Sequence, residues 1–238
     1  MYETLKKILA EIIREKRLAS EKVRISGRAL TLKEAIANPE YSDYPLQRGK
    51  ERLMQADLGG SLGQAFTDMP GNFEGMLSQV IEINLTNNFR RAVFISTINA
   101  LMRYLGMIDK SVHCKGTGPV KCSKDMIKYL KKKFGKPKVA LVGLQPRMLE
   151  ALSSEFEVNV MDLDENKIGQ KIYGILVGPP QRTEANLKWC DVALVTGTTL
   201  INNTIGEFKT EKPVIYYGVT IAGPARLLGL EHFCPYSF

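Results

Sequence analysis

Asp191-Val-Ala-Leu-Val-Thr196-Gly-Thr-Thr-Leu-Ile-Asn202-Asn203-Thr204 is the stretch on which the reading of this chain turns. Asp191 to Val195 is a short apolar run rich in β-branched residues, the pattern of a buried strand. The run stops at Thr196-Gly197, and Thr198 and Thr199 offer hydroxyls where a helix wants its N-cap. Leu200, Ile201, Ile205 and Phe208 give that helix an apolar side. Asn202, Asn203 and Thr204 are poor helix formers in its first turns. Local rules broken so densely at a strand end point to a site there, against the plainer reading of a polar cap closing a loop.

Working outward, the same grammar recurs on both sides. Lys138-Val-Ala-Leu-Val142 reads as a strand and passes through Gly143 and Gln145 to Pro146, a residue suited to the first turn of a helix. Val158 to Met161 is the next strand, with Asp162 and Asp164 at its end, about twenty positions past Gly143. An acid so placed can hold a ribose hydroxyl, although only one glycine of the usual Gly-rich turn is present. Ile172 to Val177 reads as a third strand and Glu184 to Trp189 as a helix. Pro213 to Tyr217 is a further strand, followed by Gly218, Thr220 and Gly223-Pro224 at a helix start. Residues 123–238 are thus expected to form an open, mostly parallel sheet flanked by helices. Its strand ends Gly143/Gln145, Thr196 to Thr204 and Gly218 to Gly223 would border one crevice, where exposed helix N–H groups favour anionic or carbonyl groups. No dyad of a recognisable catalyst lies in these loops, so a reaction type is not indicated.

Residues 1–110 order differently, as an α+β unit. Leu5, Ile8, Leu9, Ile12 and Ile13 mark one face of a helix over 3–17. Val23 and Ile25 alternate with polar residues as a strand ending near Gly27. Thr31 to Glu34 fits either a capping box or the return strand of a hairpin, and Asn38 to Gly49 an irregular loop that is either a lid or a surface excursion. Glu51 to Leu58 and Ser61 to Thr67 are expected to pair across Gly59-Gly60. Thr67 to Asn72 is a loop that could present Thr67 and Asp68 to a ligand, though turn chemistry alone accounts for it. Helices are expected at 73–83 and 88–105. The second is apolar almost all round and carries Asn99, either a satisfied core residue or a ligand contact.

Between the halves, residues 111–122 read as a linker. His113, Cys114 and Cys122 could hold a soft transition metal, but their spacing is not that of a zinc finger. Cys190, His232 and Cys234 are the remaining soft donors, and buried free thiols account equally well for the cysteines.

The 238 residues, 44% hydrophobic and 24% charged, describe a globular chain, and no run is apolar enough to cross a bilayer. The N-terminus lacks a secretory core, which points to the cytoplasm. The net charge of +8 raises the question of nucleic acid. Its lysines sit on expected helix faces without interleaved aromatic residues, which argues against that partner. Nothing in the sequence sets an oligomeric state.

His113-Cys114, Cys122, Asp162-Leu-Asp164 with Ile168-Gly169, Thr196-Gly-Thr-Thr-Leu-Ile-Asn-Asn-Thr-Ile205 and Tyr217-Gly-Val-Thr-Ile-Ala-Gly223 together resemble the putative heavy-metal chelation family. The resemblance implies an N-terminal domain similar to the enolase N-terminal domain and a C-terminal Rossmann-like domain, with a site in the cleft between them. The expected function is therefore binding of a small anionic or metal-chelating ligand. The central wall would be Thr196, Gly197, Thr198, Thr199, Asn202, Asn203 and Thr204, flanked by Gly143, Gln145, Gly218, Thr220 and Gly223, with Asp162 or Asp164 orienting a hydroxyl. The rivals are an enzyme using S-adenosylmethionine or a nucleotide-like ligand, and an interaction protein with a vestigial cleft.

Overall fold

The computed structural model describes residues 1–26 and 51–238. The expected elements at Thr31–Glu34 and 38–49 lie outside the described residues. Helix α1 (Tyr2–Glu15) buries Leu5, Leu9 and Ile13 as its periodicity requires. Strands β1 (Lys22–Ser26), β2 (Arg52–Leu58), β3 (Ser61–Thr67) and β4 (Phe73–Met76) form an antiparallel sheet in the order β3-β2-β1-β4. The β2-β3 hairpin turns at Gly59 and Gly60, whose φ of +56° and +85° suit a tight turn that L side chains resist.

Helix α2 (Leu77–Glu82) is shorter than the expected 73–83 helix. The first four residues of that span instead pair with β1, Ile25 opposite Phe73 and Lys22 opposite Met76. The open edge of β1 satisfies their backbone groups, and Gly75 is a weak helix former.

Helix α3 (Asn88–Tyr104) buries every residue from Arg91 to Met102, so no face is left for water. One side meets β2 and β3. A Cβ on Gly63 of β3 would stand 2.1 Å from Ala100 N and 2.4 Å from Ser96 O, so only glycine permits this approach. The other side meets the second half of the chain.

Helix α4 (Gly118–Phe134) begins five residues before the expected cap at Ser123, because Pro119 already supplies a helical φ in its first turn. The presumed linker is therefore partly helix, and Ser123 Oγ donates back to Val120 O at 2.8 Å rather than capping. Then follow β5 (Val139–Val142), α5 (Pro146–Ser153), β6 (Val158–Met161), β7 (Lys171–Ile172), β8 (Ile175–Gly178) and α6 (Thr183–Trp189). The single strand expected over 172–177 is a hairpin: Tyr173 and Gly174 turn with φ of +48° and +81°, and β7 runs antiparallel to β8. The chain closes with β9 (Val192–Thr196), α7 (Thr198–Ile201), β10 (Val214–Tyr217), α8 (Ala222–Leu228) and β11 (His232–Phe233). The seven strands lie in the order β11-β10-β9-β5-β6-β8-β7, parallel except for β7. The α/β class with a smaller antiparallel unit thus stands as expected.

Alternation along the parallel strands divides two cores. Val139, Leu141, Val192, Leu194 and Ile215 pack with Met126, Leu130 and Leu149 on one face. Ala140, Val142, Ala193 and Val195 face the other way, into a core that also holds Leu5, Leu9, Phe94 and Leu101. The N-terminal unit therefore covers one face of the parallel sheet through α3, and one apolar core runs through both halves. No helix among the described residues is long and apolar enough to span a membrane.

Asn99 sits at the centre of this joint, fully buried. Its Nδ2 donates to Gln64 O at 2.8 Å and to Val219 O and Thr220 O, each at 3.1 Å. Its Oδ1 accepts from Gly223 N–H at 2.7 Å. Replacing Asn99 by Leu would strand these backbone groups without water. The expected loss in a denaturant titration is about 2–4 kcal/mol; a loss under about 1 kcal/mol would mean that the joint does not rest on this side chain.

Candidate crevice at the carboxyl ends of the parallel strands

From β5 the chain moves outward to β6 and β8, then returns to β9 on the other side of β5. The direction of winding reverses between β5 and β9, and in open α/β sheets ligands sit beyond the strand ends at such a reversal. Gly143, just past β5, takes φ +88°. A Cβ there would lie 2.6 Å from Thr196 Cγ2 and 3.2 Å from the Tyr217 hydroxyl oxygen. The two strand ends are thus in contact, and the close approach requires glycine. Tyr217 Oη donates to Val142 O at 3.0 Å and to Gly143 O at 2.7 Å, so it braces the floor of the reversal. Burial raises its pKa well above the ordinary tyrosine value.

The expected residues divide into three groups. Gly143, Gln145, Asp162, Asp164 and Thr196 to Thr199 come together at the reversal. Gln145 caps α5 by accepting from Met148 N–H. Asp162 accepts from Leu144 N–H with one oxygen and from Asp164 N–H, at 2.8 Å, with the other, tying the loop after β5 to the loop after β6. Asp164 accepts at 3.0 Å from both the backbone N–H and the side-chain amide of Asn166. Thr196 Oγ1 lies 3.1 Å from Thr198 Oγ1, while Thr199 Oγ1 donates to Thr196 O at 2.7 Å. Neither threonine caps α7, whose N-cap is Gly197. Gly197 presses on Ile221, where a Cβ would meet its backbone N at 2.8 Å.

Asn202, Asn203 and Thr204 form the second group, beyond a helix that ends at Ile201 rather than continuing to Phe208. Asn203 adopts φ +59°, which asparagine tolerates and a longer helix does not. Asn202 Oδ1 accepts from Asn88 Nδ2 at 3.3 Å, and the same amide donates to Asp68 Oδ1 at 2.6 Å. Asn88 is held in turn by the buried Arg91, which also donates to Ile201 O. The carboxyl edge of the sheet therefore faces the end of β3.

In the third group, Thr220 and Gly223 are committed to the joint: Thr220 Oγ1 accepts from Phe66 N–H at 3.1 Å, and Gly223 binds Asn99. Gly218, with φ +89°, lies towards the β11 edge, where its carbonyl is 2.9 Å from His232 Nε2.

Sequence reasoning missed Glu51. It precedes β2 and is only partly open to solvent. Its carboxyl is pushed up to about 7, first by burial and then by the charges of Asp162, Asp68 and Asp164. Carboxylates from both halves are thus felt at Glu51. Glu51 stands next to a polar-to-apolar change that reads only as the start of a strand, and two of the charges it feels lie more than a hundred residues away.

The expected metal ligands are not gathered in this way. His113 donates its backbone N–H to Gln64 Oε1 at 2.7 Å, and its ring stands edge-on to Phe66 at 5.3 Å. Cys114 is buried and Cys122 half-buried, both free thiols. Among the described residues, no group of three or more His, Cys, Asp or Glu side chains is arranged to hold a metal ion.

Residues 125–221 match the family model described as putative heavy-metal chelation. They span α4 from its second turn to the turn after β10, and so include the whole reversal. The structure of a protein of unknown function from Pyrococcus horikoshii, of the same family, is similar at a TM-score of 0.55 with 15% identity, over 92% of this chain and 79% of that one. A second protein of unknown function of the family, from Desulfitobacterium hafniense, aligns at 15% identity and a TM-score of 0.49, over 75% and 73% of the two chains. No curated protein matches the chain. At 15% identity the likeness to the Pyrococcus horikoshii protein supports the fold alone.

Because Glu51 holds its proton more tightly when folded, its contribution to stability is fully present below the ordinary glutamate pKa and is lost as pH rises through about 7. Glu51→Gln should therefore be more stable than wild type by about 1–2 kcal/mol above neutrality and nearly equal to it near pH 4. Denaturation curves across that range check this; a difference independent of pH would contradict the placement of Glu51.

Proposed function

We propose that the crevice binds a small ligand carrying positive charge, in the form of a metal already held by its own chelator. The observation that carries this reading is that the buried Glu51 carboxyl feels the charges of Asp162 and Asp164, which follow β6, and of Asp68, which follows β3 and is linked through Asn88 to Asn202. These neighbouring charges raise the proton affinity of Glu51, and a cation would relieve it. The same field repels a bare anion, so of the two ligand classes expected from the sequence the metal-bearing one is favoured. Gly143, Gln145, Thr196, Thr198 and Asn202 would offer the polar wall against the ligand's neutral groups.

The chelator matters because the described residues hold no ready ligand set for a naked ion. A metal that arrives with its coordination sphere filled needs only charge and hydrogen-bond complementarity. This agrees with the family description while assigning the protein the role of receptor for the complex. The nucleotide reading is weaker. Asp162 already holds the Leu144 and Asp164 N–H groups, and the space beside Gly143 is filled by Thr196 and Tyr217.

Cobalt(III) hexaammine, whose ligands do not exchange, probes the field without inner-sphere bonding. It should bind in calorimetric titration and raise the melting temperature. Glu51→Gln and Asp68→Asn should each weaken it by about 3–10-fold, and affinity should rise with pH through about 7 as Glu51 ionises. No binding, or binding unchanged in both variants, would overturn the proposal.

A further inference from the structure

Asn88, the first residue of α3, bonds to both halves of the chain, and a neighbour fixes which way its amide faces. That neighbour is Arg91, buried one turn further along. Its guanidinium donates to Ile201 O at the end of α7, to Leu85 O at 2.9 Å and to Asn88 Oδ1. A guanidinium carries donors and no acceptor, so the Asn88 atom facing it must be the carbonyl oxygen. The Asn88 nitrogen is thereby turned to Asp68 and Asn202. It donates to Asp68 Oδ1 at 2.6 Å and to Asn202 Oδ1 at 3.3 Å.

The same rule passes to the next amide. Asn88 Nδ2 can only donate, so Asn202 presents its oxygen to it and turns its own nitrogen away. Among the described residues, nothing accepts from Asn202 Nδ2 and nothing donates to the second oxygen of Asp68. Asn202 is half-buried and Asp68 exposed, so both side chains are within reach of a ligand. Two groups of opposite hydrogen-bonding sense therefore flank one fixed nitrogen. The acceptor comes from the N-terminal unit, and the donor from the parallel half.

We propose that Asp68 and Asn202 form a subsite for a carboxamide on the bound ligand, its N–H donated to Asp68 and its carbonyl accepting from Asn202. This rests on the reading of the crevice as a receptor for a chelated metal, and it names the group that the chelator presents beside Asn88. A carboxylate there would accept from Asn202 but be repelled by Asp68. A guanidinium or ammonium would be drawn to Asp68 but would meet the donors of Asn202. A carboxamide satisfies both, so the pair selects by rejecting each charged alternative at one of its two members. Arg91 sets this polarity without touching the ligand. Were its place taken by an acceptor, Asn88 would turn over and the pair would lose its sense.

Two inert cobalt(III) complexes of equal charge separate this inference from the reading beneath it. They are pentaammine(pyridine)cobalt(III) and pentaammine(nicotinamide)cobalt(III), which differ only by a carboxamide on the ring. In calorimetric titration of the unaltered chain, the nicotinamide complex should bind about tenfold more tightly, the worth of two neutral hydrogen bonds. Asn202→Asp keeps the side-chain shape but replaces the donor by an acceptor. That variant should still bind the pyridine complex, which reports an intact fold, and its preference for the nicotinamide complex should fall below about twofold. Equal affinities in the unaltered chain, or a full preference kept in Asn202→Asp, would overturn the inference and leave the receptor reading standing. Failure of both complexes to bind the unaltered chain would overturn the two together.

Discussion

The fold depends on how one buried amide is satisfied. Asn99 lies in a helix with no wet face, so its side chain must find protein partners or destabilise the core. It finds them on both sides: Gln64 in the antiparallel sheet, and Val219, Thr220 and Gly223 in the turn after β10. A hydrophobic joint alone would permit the two sheets to slide over one another. A directional set of hydrogen bonds allows one register. Gly63 completes the constraint by admitting α3 against β3 at backbone distance.

That register decides what stands opposite the carboxyl ends of the parallel strands. With α3 fixed, Asp68 at the end of β3 reaches Asn88 and through it Asn202, and Glu51 at the start of β2 comes within the field of Asp162 and Asp164. Each carboxylate is ordinary in its own half. Their juxtaposition brings the charges of Asp68, Asp162 and Asp164 to bear on Glu51, beside the reversal of strand order. Energy stored there as raised proton affinity is available to a cation.

The parallel half was readable because its strands are continuous apolar runs punctuated by Gly143, Gly197 and Gly218, and period and punctuation agree. Gly143 and Thr196 were legible as neighbours because the topology of such sheets leaves few alternatives. Strand β4 was not, because Phe73 to Met76 has no alternation of its own and is strand only through the free edge of β1. The β7-β8 hairpin hid behind Tyr173, a residue that seldom takes φ above zero. Thr220 and Gly223 were read as site walls because the signal for a helix start is the same whether its polar groups face a ligand or another helix. Glu51 escaped because its raised proton affinity comes from burial and from charges that include Asp162 and Asp164, more than a hundred positions away, and no local pattern records them.

The family description speaks of chelation, yet the described residues provide charge and hydrogen bonds rather than a cage. The proposed receptor for a metal complex would reconcile the two, since the complex would supply the coordination and the carboxylates the field. The most direct test is anomalous diffraction at the cobalt edge from crystals soaked in cobalt(III) hexaammine. The account predicts a peak between the carboxylates of Glu51 and Asp162, beside the ends of β5 and β9. A peak confined to other surfaces, with none at the reversal, would contradict it.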